Sequence, residues 1–393
     1  METLKGTAIA FSQLGLTAFG GPTAHLAYFH REFVSRRQWV NEENYASLVA
    51  ISQFLPGPAS SKVSQAIGYH RGSWGGLVLS WLCFTLPSAL IMAGFGMVVA
   101  TVATTGGSQG WIRGLLAAAV AVVAHAILGM ARKLIHTTSG FILAVLAAAA
   151  ILVFDFPLIY LAVIVCSGLL GATVLRRRIG TSAVAAQNME QLRTVGRTTA
   201  RICGLAFFGL LVLFWALAEL FGGYFFSRLN AFYQAGALVF GGGHVVLPML
   251  EGQFVSTGWV NQEDFLAGYS LAQAVPGPMF TLASYLGAVD GGLWGALLGT
   301  VVIFLPGTLL MIASLHYWNT WRQSPILRTS FAGINSAVVG ILLATWWDPV
   351  FIHGVTDLAT AAIALVCFAV FWGKKIPAWL VAGGAALAGL IIF

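Results

Sequence analysis

The sequence predicts an all-α polytopic membrane protein: two homologous halves forming an inverted repeat, with helices broken at Pro-Gly-Pro near the membrane midplane. Three observations predict it. Of 393 residues, 58% are hydrophobic and only 8% are Asp, Glu, Lys or Arg, where soluble domains carry roughly 25% charged residues. Apolar runs of about 20 residues, the length a membrane helix needs, recur along the chain. A long composite motif also occurs twice. This composition, with a mean hydropathy of +0.85, excludes a soluble enzyme, a disordered chain and a secreted disulfide scaffold. The four cysteines, Cys83, Cys166, Cys203 and Cys367, stand singly in apolar stretches. They lack disulfide or metal-ligand spacing, so packing is their expected role and no cofactor is expected. No signal-peptide pattern opens the chain, and the first helix is expected to stay in the protein.

Taken in order, apolar segments fall at 6–28, 44–56, 58–70 (short and polar), 74–103, 110–130, 138–155 and 157–175. They resume at 201–222, 227–250, 262–275, 277–289, 292–318, 327–347, 355–372 and 376–393. Between the two sets, residues 176–201 carry six arginines and one glutamate, which is +5 of the chain's net +7. A basic interval of this kind faces the cytoplasm by the positive-inside rule. The charge excess therefore reports topology, and nucleic acid is not needed to explain it. The expected organisation is an N-terminal repeat over 1–175, a basic cytoplasmic linker over 176–200, an extra connecting helix over 201–226 and a C-terminal repeat over 227–393.

The repeat is collinear. Phe19-Gly20-Gly21 returns as Phe240-Gly241-Gly242, Phe33-Val34-Ser35 as Phe254-Val255-Ser256, and Trp39-Val40-Asn41 as Trp259-Val260-Asn261. Gln53 with Pro56-Gly57-Pro58 matches Gln273 with Pro276-Gly277-Pro278, and Leu86-Pro87 matches Leu305-Pro306. Basic residues sit on complementary loops of the two copies. The first half has Arg31, Arg36, Arg37, Arg132 and Lys133, whereas the second has Arg322, Arg328, Lys374 and Lys375. Complementary charge on homologous loops implies opposite orientation. The same charges favour a Pro-Gly-Pro segment that enters and returns without crossing. Inversion, however, needs an odd number of crossings between equivalent segments; the two conditions conflict at the simplest segment count, and thirteen crossings would fit the inversion.

The breaks carry the chemistry. Proline lacks an amide hydrogen and disfavours helix for the residue before it, so Pro-Gly-Pro ends one helix and its second proline suits the start of another. Free amides and the positive dipole end then face the break and favour an anion. Lys62, Ser60 and Ser61 follow the first break and would add a cation and hydroxyl donors, whereas Met279 to Leu282, with Leu282 matching Lys62, are mostly apolar. Gly20, Gly21, Gly241 and Gly242 mark a second pair of breaks that admit close backbone approach. His25 and His244 stand beside them as candidate proton carriers or anion contacts, against the plainer reading of close helix packing. Trp39 and Trp259 read as interfacial anchors, and Asn41 and Asn261 as helix caps. No phosphate loop, zinc cluster or nucleophile elbow is present, so no enzyme is expected.

Phe-Gly-Gly-Pro with His25, Trp39, Gln53-x-x-Pro-Gly-Pro, Gly68-Tyr69 and Leu86-Pro87 resembles the chromate ion transporter (CHR) family. Residues 240–248, with Gln273-x-x-Pro-Gly-Pro, look like the second domain of its long form. The resemblance covers nearly the whole chain. It implies a multi-pass protein of the cell inner membrane that exports chromate on the proton-motive force and confers resistance. It carries the family motif onto Gly20, Gly21, Pro22, Gln53, Pro56, Gly57, Pro58, Gly241, Gly242, Gln273, Pro276, Gly277 and Pro278. The residue physics alone says only "small anion"; sulfate or another oxyanion is the rival substrate, and a non-transporting membrane scaffold the rival class. Expected partners are a chromate- or sulfate-like oxyanion and the lipid bilayer, with a homodimer compatible and no nucleic acid.

Overall fold

The computed structural model describes all residues except 1, 20, 106–109, 136, 155–158, 175–191, 241–245, 322–323, 374–375 and 377. Among the described residues every regular element is helical. The first half opens with α1 (Glu2–Thr17), and the chain then doubles back through α2 (Gly21–Phe29) and a π-helical stretch, His30–Arg36. Phe11 of α1 packs its ring against Phe29 and Phe33, with centroids 5.9 and 4.7 Å away, so the two limbs form a hairpin. Helix α3 (Glu42–Phe54) starts where the Asn41 side chain accepts the Asn44 amide, as its cap role predicts. It ends at Leu55, before Pro56. Helix α4 (Ala59–Thr105) is bent back on itself at Gly72 and Ser73, giving limbs α4a and α4b. Gly68 lies against Gly76 and Ser80 across this bend, where no Cβ fits. Arg71, at the end of α4a, stacks over Trp39 at 4.7 Å, so α3 and α4a are themselves an in-and-out hairpin.

The second half repeats this. Helices α9 (Gly223–Leu238) and α10 (Val246–Phe254) form the first hairpin. Helix α11 (Gln262–Ala274), capped by Asn261 on the Asp264 amide, and α12 (Leu282–Trp321), bent at Gly291 and Gly292, form the second. The Tyr285 hydroxyl donates to the Asp264 carbonyl at 2.8 Å and ties the return limb to α11. The segments at 6–28 and 227–250, each read as one apolar run, are thus hairpins. Hydropathy cannot tell two half-length limbs from one crossing.

The remaining helices are α5 (Gly110–Leu134), α6 (Thr138–Val153), α7 (Ile159–Val174), α8 (Arg197–Phe221), α13 (Pro325–Thr345), the single turn α14 (Ile352–Gly354), α15 (Leu358–Gly373) and α16 (Ala378–Ile392). They interlock through small residues. Gly110 and Gly114 of α5 abut Gly389 and Ala385 of α16, so these two run antiparallel. Gly333 and Gly340 of α13 abut Ser167 and Gly171 of α7 and Ala144 of α6. Helices α5 and α13 are therefore each packed against the last two helices of the other half. Backbones this close need glycine, which is why the repeat holds so many.

The halves point in opposite directions. Leaving its bend at Gly72 and Ser73, α4b passes the second Pro-Gly-Pro at Ser88 and then lies against Tyr285, Ala288 and Val289 at Gly96. That stretch is about 35 Å of helix and runs along the second half's return limb toward its own bend. The two bends thus lie at opposite poles. Five helices, α4b to α8, separate the halves, which is the odd number that inversion needs. Among the described residues nine helices run between the poles, and four hairpins dip in and return.

Charge follows the same division. Arg31, Arg36, Arg37 and Arg71 cluster at the first pole, where Glu32 bonds Arg37 at 2.5 Å and Arg36 at 3.1 Å. Partial burial alone would raise the Glu32 carboxyl, but the two guanidiniums bring it below the usual range. At the second pole Arg113 and Arg228 are each matched by an aspartate, Asp357 at 2.5 Å and Asp290 at 2.8 Å. Gln38 and Gly258 occupy equivalent exposed turns, with φ of 50° and 74°. With the four native cysteines replaced, Gln38→Cys and Gly258→Cys are expected to react with an impermeant thiol reagent from opposite sides of the membrane. Labelling of both from one side would rule out the inverted arrangement.

Candidate functional site

The four hairpins meet tip to tip. The Gly57 amide donates to the Val239 carbonyl at 2.7 Å, and the Gly277 amide to the Ala18 carbonyl at 3.0 Å. Ala18 and Val239 are themselves equivalent positions, so each Pro-Gly-Pro is hydrogen-bonded to the other half's first hairpin. Both glycines have positive φ, 93° and 105°. A Cβ on Gly57 would lie 3.0 Å from Gly307 Cα, and one on Gly277 would lie 2.6 Å from Ser88 Oγ. Both sites therefore demand glycine.

The two tips then diverge. After Pro58 the chain enters α4a directly, and the Lys62 amide bonds the Pro58 carbonyl at 3.0 Å. The amides of Ala59, Ser60 and Ser61 are first-turn donors with no acceptor inside the helix. After Pro278 a tighter 3₁₀ turn, Met279–Thr281, intervenes, with Thr281 N on the Pro278 carbonyl at 3.1 Å. This turn is one residue shorter, so the register shifts and the spatial counterpart of Lys62 is Thr281, not Leu282. The two residues do related work. Thr281 Oγ1 donates to the Pro278 carbonyl at 2.8 Å, while Lys62 Nζ donates to the carbonyls of Leu55 at 2.5 Å and Pro56 at 2.9 Å. Lys62 is 1% exposed and is the one buried lysine or arginine among the described residues.

His25 joins three segments at the first tip. Its Nε2 donates to the Ala18 carbonyl at 3.1 Å, which leaves Nδ1 to accept from Ser60 Oγ, 3.3 Å away, in the neutral ring. Because Ala18 also receives the Gly277 amide, this histidine touches the contact between halves; its counterpart is Val246. A Cβ on Gly21 would lie 3.7 Å from the Met279 sulfur. Gln53 is half-buried at the end of α3, and Gln273 is buried and bonded to Tyr269. The structure thus brings together Pro56, Gly57, Pro58, Ser60, Ser61, Lys62, His25, Gly21, Pro276, Gly277 and Pro278. Gly20, Gly241, Gly242 and His244 lie outside the described residues.

Two residues that the motif reading passed over also belong here. Gln65 lies one turn beyond Ser61 and donates through Nε2 to Thr308 Oγ1 of α12 at 2.7 Å. Ser61 Oγ, Gln65 Oε1 and Thr85 Oγ1 are buried with no hydrogen-bond partner. Thr85 carried a sequence signal, being polar where the other repeat has Phe304, whereas Gln65 is matched by the polar Ser284 and carried none. By contrast, a 530 Å³ cleft near Val120, Leu343, Trp346 and Phe368 is lined by carbon and shares no residue with the tips. No group of three or more His, Cys, Asp or Glu able to hold a metal occurs among the described residues.

Inverted halves, re-entrant hairpins and long apolar helices together define a multi-pass membrane protein of the transporter type. The sequence matches the chromate transporter family twice, over residues 6–172 and again over 226–390. The chain belongs to that family. It is 29% identical to a probable chromate transport protein of Synechococcus elongatus, covering 100% of this chain and 96% of that one. It is 27% identical to the chromate transport protein of Cupriavidus metallidurans, covering 100% and 94%. An uncharacterized transporter of Bacillus subtilis aligns at 28% identity over 41% of this chain and 94% of its own length, so a relative of about one half's length exists. No solved structure matches.

Proposed function

We propose that this protein is a secondary active transporter that exports chromate across the cell inner membrane and so confers chromate resistance. The observation that carries this reading is the meeting of two oppositely directed Pro-Gly-Pro tips, one followed by a helix start bearing Ser60, Ser61 and Lys62. Helix starts favour anions. Broken backbone at membrane depth is tolerated where it is enclosed by protein or lines a cavity. Relatives named as chromate transport proteins supply the substrate.

In this reading the tips lie near the membrane midplane and nine helices cross the bilayer. The arginine-rich pole is cytoplasmic. The chain divides into repeats at 1–175 and 227–393, a cytoplasmic linker at 176–200 and a connecting helix at 201–226. Gly57 and Gly277 shape the tips, since their amides are already engaged. The anion takes the first-turn amides after Pro58 and the hydroxyls beside them, with Gln53, Gln273 and the glycine breaks at 20–21 and 241–242 flanking its path and His25 and His244 beside it. Alternating access comes from rocking one half against the other about the tips.

The test is flux of labelled chromate in liposomes containing the purified chain. Chromate-dependent flux that responds to an imposed proton gradient is expected. Sulfate flux without chromate flux would reassign the substrate, and flux of neither would leave a membrane scaffold.

A further inference from the structure

The two tips are equivalent by sequence but not by chemistry. At the register that pairs Gly68 with Gly287 and Pro87 with Pro306, Ser61 corresponds to Phe280 and Thr85 to Phe304. In the second half those two phenylalanine rings pack together, centroids 6.0 Å apart, and fill the space beside the helix start. The next pair is also satisfied there, with Ser284 and Thr300 hydrogen-bonded at 2.6 Å. In the first half the corresponding positions are small and polar. Ser61, Gln65 and Thr85 are each at most 3% exposed, and each has a polar atom with no partner. Buried polar atoms are almost always paired, so orphans on Ser61 and Gln65 in the first turns of α4a, and on Thr85 of α4b, whose counterpart packs on that of Ser61, mark a site that a ligand completes.

The donors and acceptors of this site specify the ligand. Thr308 Oγ1 donates its proton to the Phe304 carbonyl at 2.9 Å, so toward Gln65 it can only accept. Gln65 must then present its NH₂ to Thr308 and its carbonyl oxygen to the site. The site offers the Ser61 and Thr85 hydroxyls and first-turn amides as donors, together with one obligate acceptor, Gln65 Oε1. A fully ionised tetrahedral dianion has nothing to donate to that oxygen. Charge gives the same answer. Lys62, the single buried lysine or arginine among the described residues, balances one negative charge, and burying a second uncompensated charge is costly.

Resting on the transport reading above, we propose that the first half alone holds the oxyanion and that it binds the singly protonated form, hydrogen chromate, whose O–H donates to Gln65. The second half is a plugged copy that serves as scaffold. Chromate takes up a proton near neutrality, whereas sulfate does so only in strong acid, so one acceptor separates two ions of nearly the same shape.

The test uses the full chain in liposomes, with equal pH on both sides and labelled chromate at fixed total concentration, from pH 8.5 down to pH 6. The apparent KM for total chromate is expected to fall with pH in step with the hydrogen chromate fraction, while kcat stays level. Tenfold excess sulfate should not compete. Gln65→Met should raise KM about tenfold, the worth of one hydrogen bond to a charged ligand, and should let sulfate compete more nearly equally. Ser61→Ala and Thr85→Val should each raise KM with the fold retained by thermal melting. A pH-independent KM, effective sulfate competition in the unmodified chain, or variants that lose stability but keep their KM would overturn the proposal and leave a water-filled pocket in a working transporter. Absence of any chromate flux in the unmodified chain would overturn the transport reading together with this inference.

Discussion

Lys62→Met is expected to abolish chromate flux and to lower thermal stability. The ammonium lies in the interior and its two defined bonds go to the Leu55 and Pro56 carbonyls. Those carbonyls lie just past the end of α3, where Leu55 is already extended, so no amide of that helix can satisfy them. Removing the lysine leaves two buried acceptors unpaired, each costing roughly 1–3 kcal/mol. It also removes the only buried lysine or arginine among the described residues, and with it the charge that, in the proposed transport reading, compensates the anion. Lys62→Arg should not rescue. A guanidinium is planar and larger, and the lysine stem already lies 3.8 Å from the position a Gly307 Cβ would take. Thr281→Val, at the spatial counterpart, should cost far less, since Thr281 bonds one carbonyl and carries no charge. Leu282→Ala should change flux little. Flux and melting measured on the same preparations check this, and full flux in folded Lys62→Met protein would remove the lysine from the site.

Gly57→Ala is expected to lower the folded yield sharply. Its φ of 93° costs an L-residue roughly 1–2 kcal/mol, and the new Cβ meets the Gly307 backbone at 3.0 Å. No partner substitution can relieve that clash, because Gly307 has no side chain to shorten. The shift needed to accommodate it also stretches the bond from the Gly57 amide to Val239. Gly277→Ala is different, because its Cβ would meet the Oγ and Cβ of Ser88. Ser88→Gly should therefore restore part of the folding yield to Gly277→Ala and none to Gly57→Ala. Detergent-stable monodisperse yield and melting temperature decide it. Equal rescue of both would mean that the tips are not packed as the hydrogen bonds indicate.

Much of the architecture was legible because it rests on local or additive signals. Apolar runs identify the long helices, Asn41 and Asn261 cap as short-range chemistry dictates, and the charge on homologous loops anticipated opposed halves. What failed to show was the first hairpin of each half. The apolar content of α1 and α2 continues through their turn, so hydropathy reads them as one run, whereas the bend at Gly72 and Ser73 falls in the gap between the runs at 58–70 and 74–103. The pairing of Lys62 with Leu282 was off by one residue for a similar reason. A 3₁₀ turn advances further per residue than an α turn, and an alignment of letters does not register that difference.

The candidate site divides in the same way. Pro-Gly-Pro announces a break and a helix start from its own covalent geometry, with no knowledge of neighbours. That break, the duplication and the membrane class follow from the residues and their order. The partners do not. That Gly57 bonds Val239, that Gly277 bonds Ala18 and that Gln65 bonds Thr308 of α12 depend on contacts between segments far apart in the chain. Hydrophobicity and backbone propensity act within a helix, and they set which segments are buried and where they break. Which polar atom meets which is set by how two inverted copies interlock. Small residues permit that close approach, and tertiary packing alone selects the pairs.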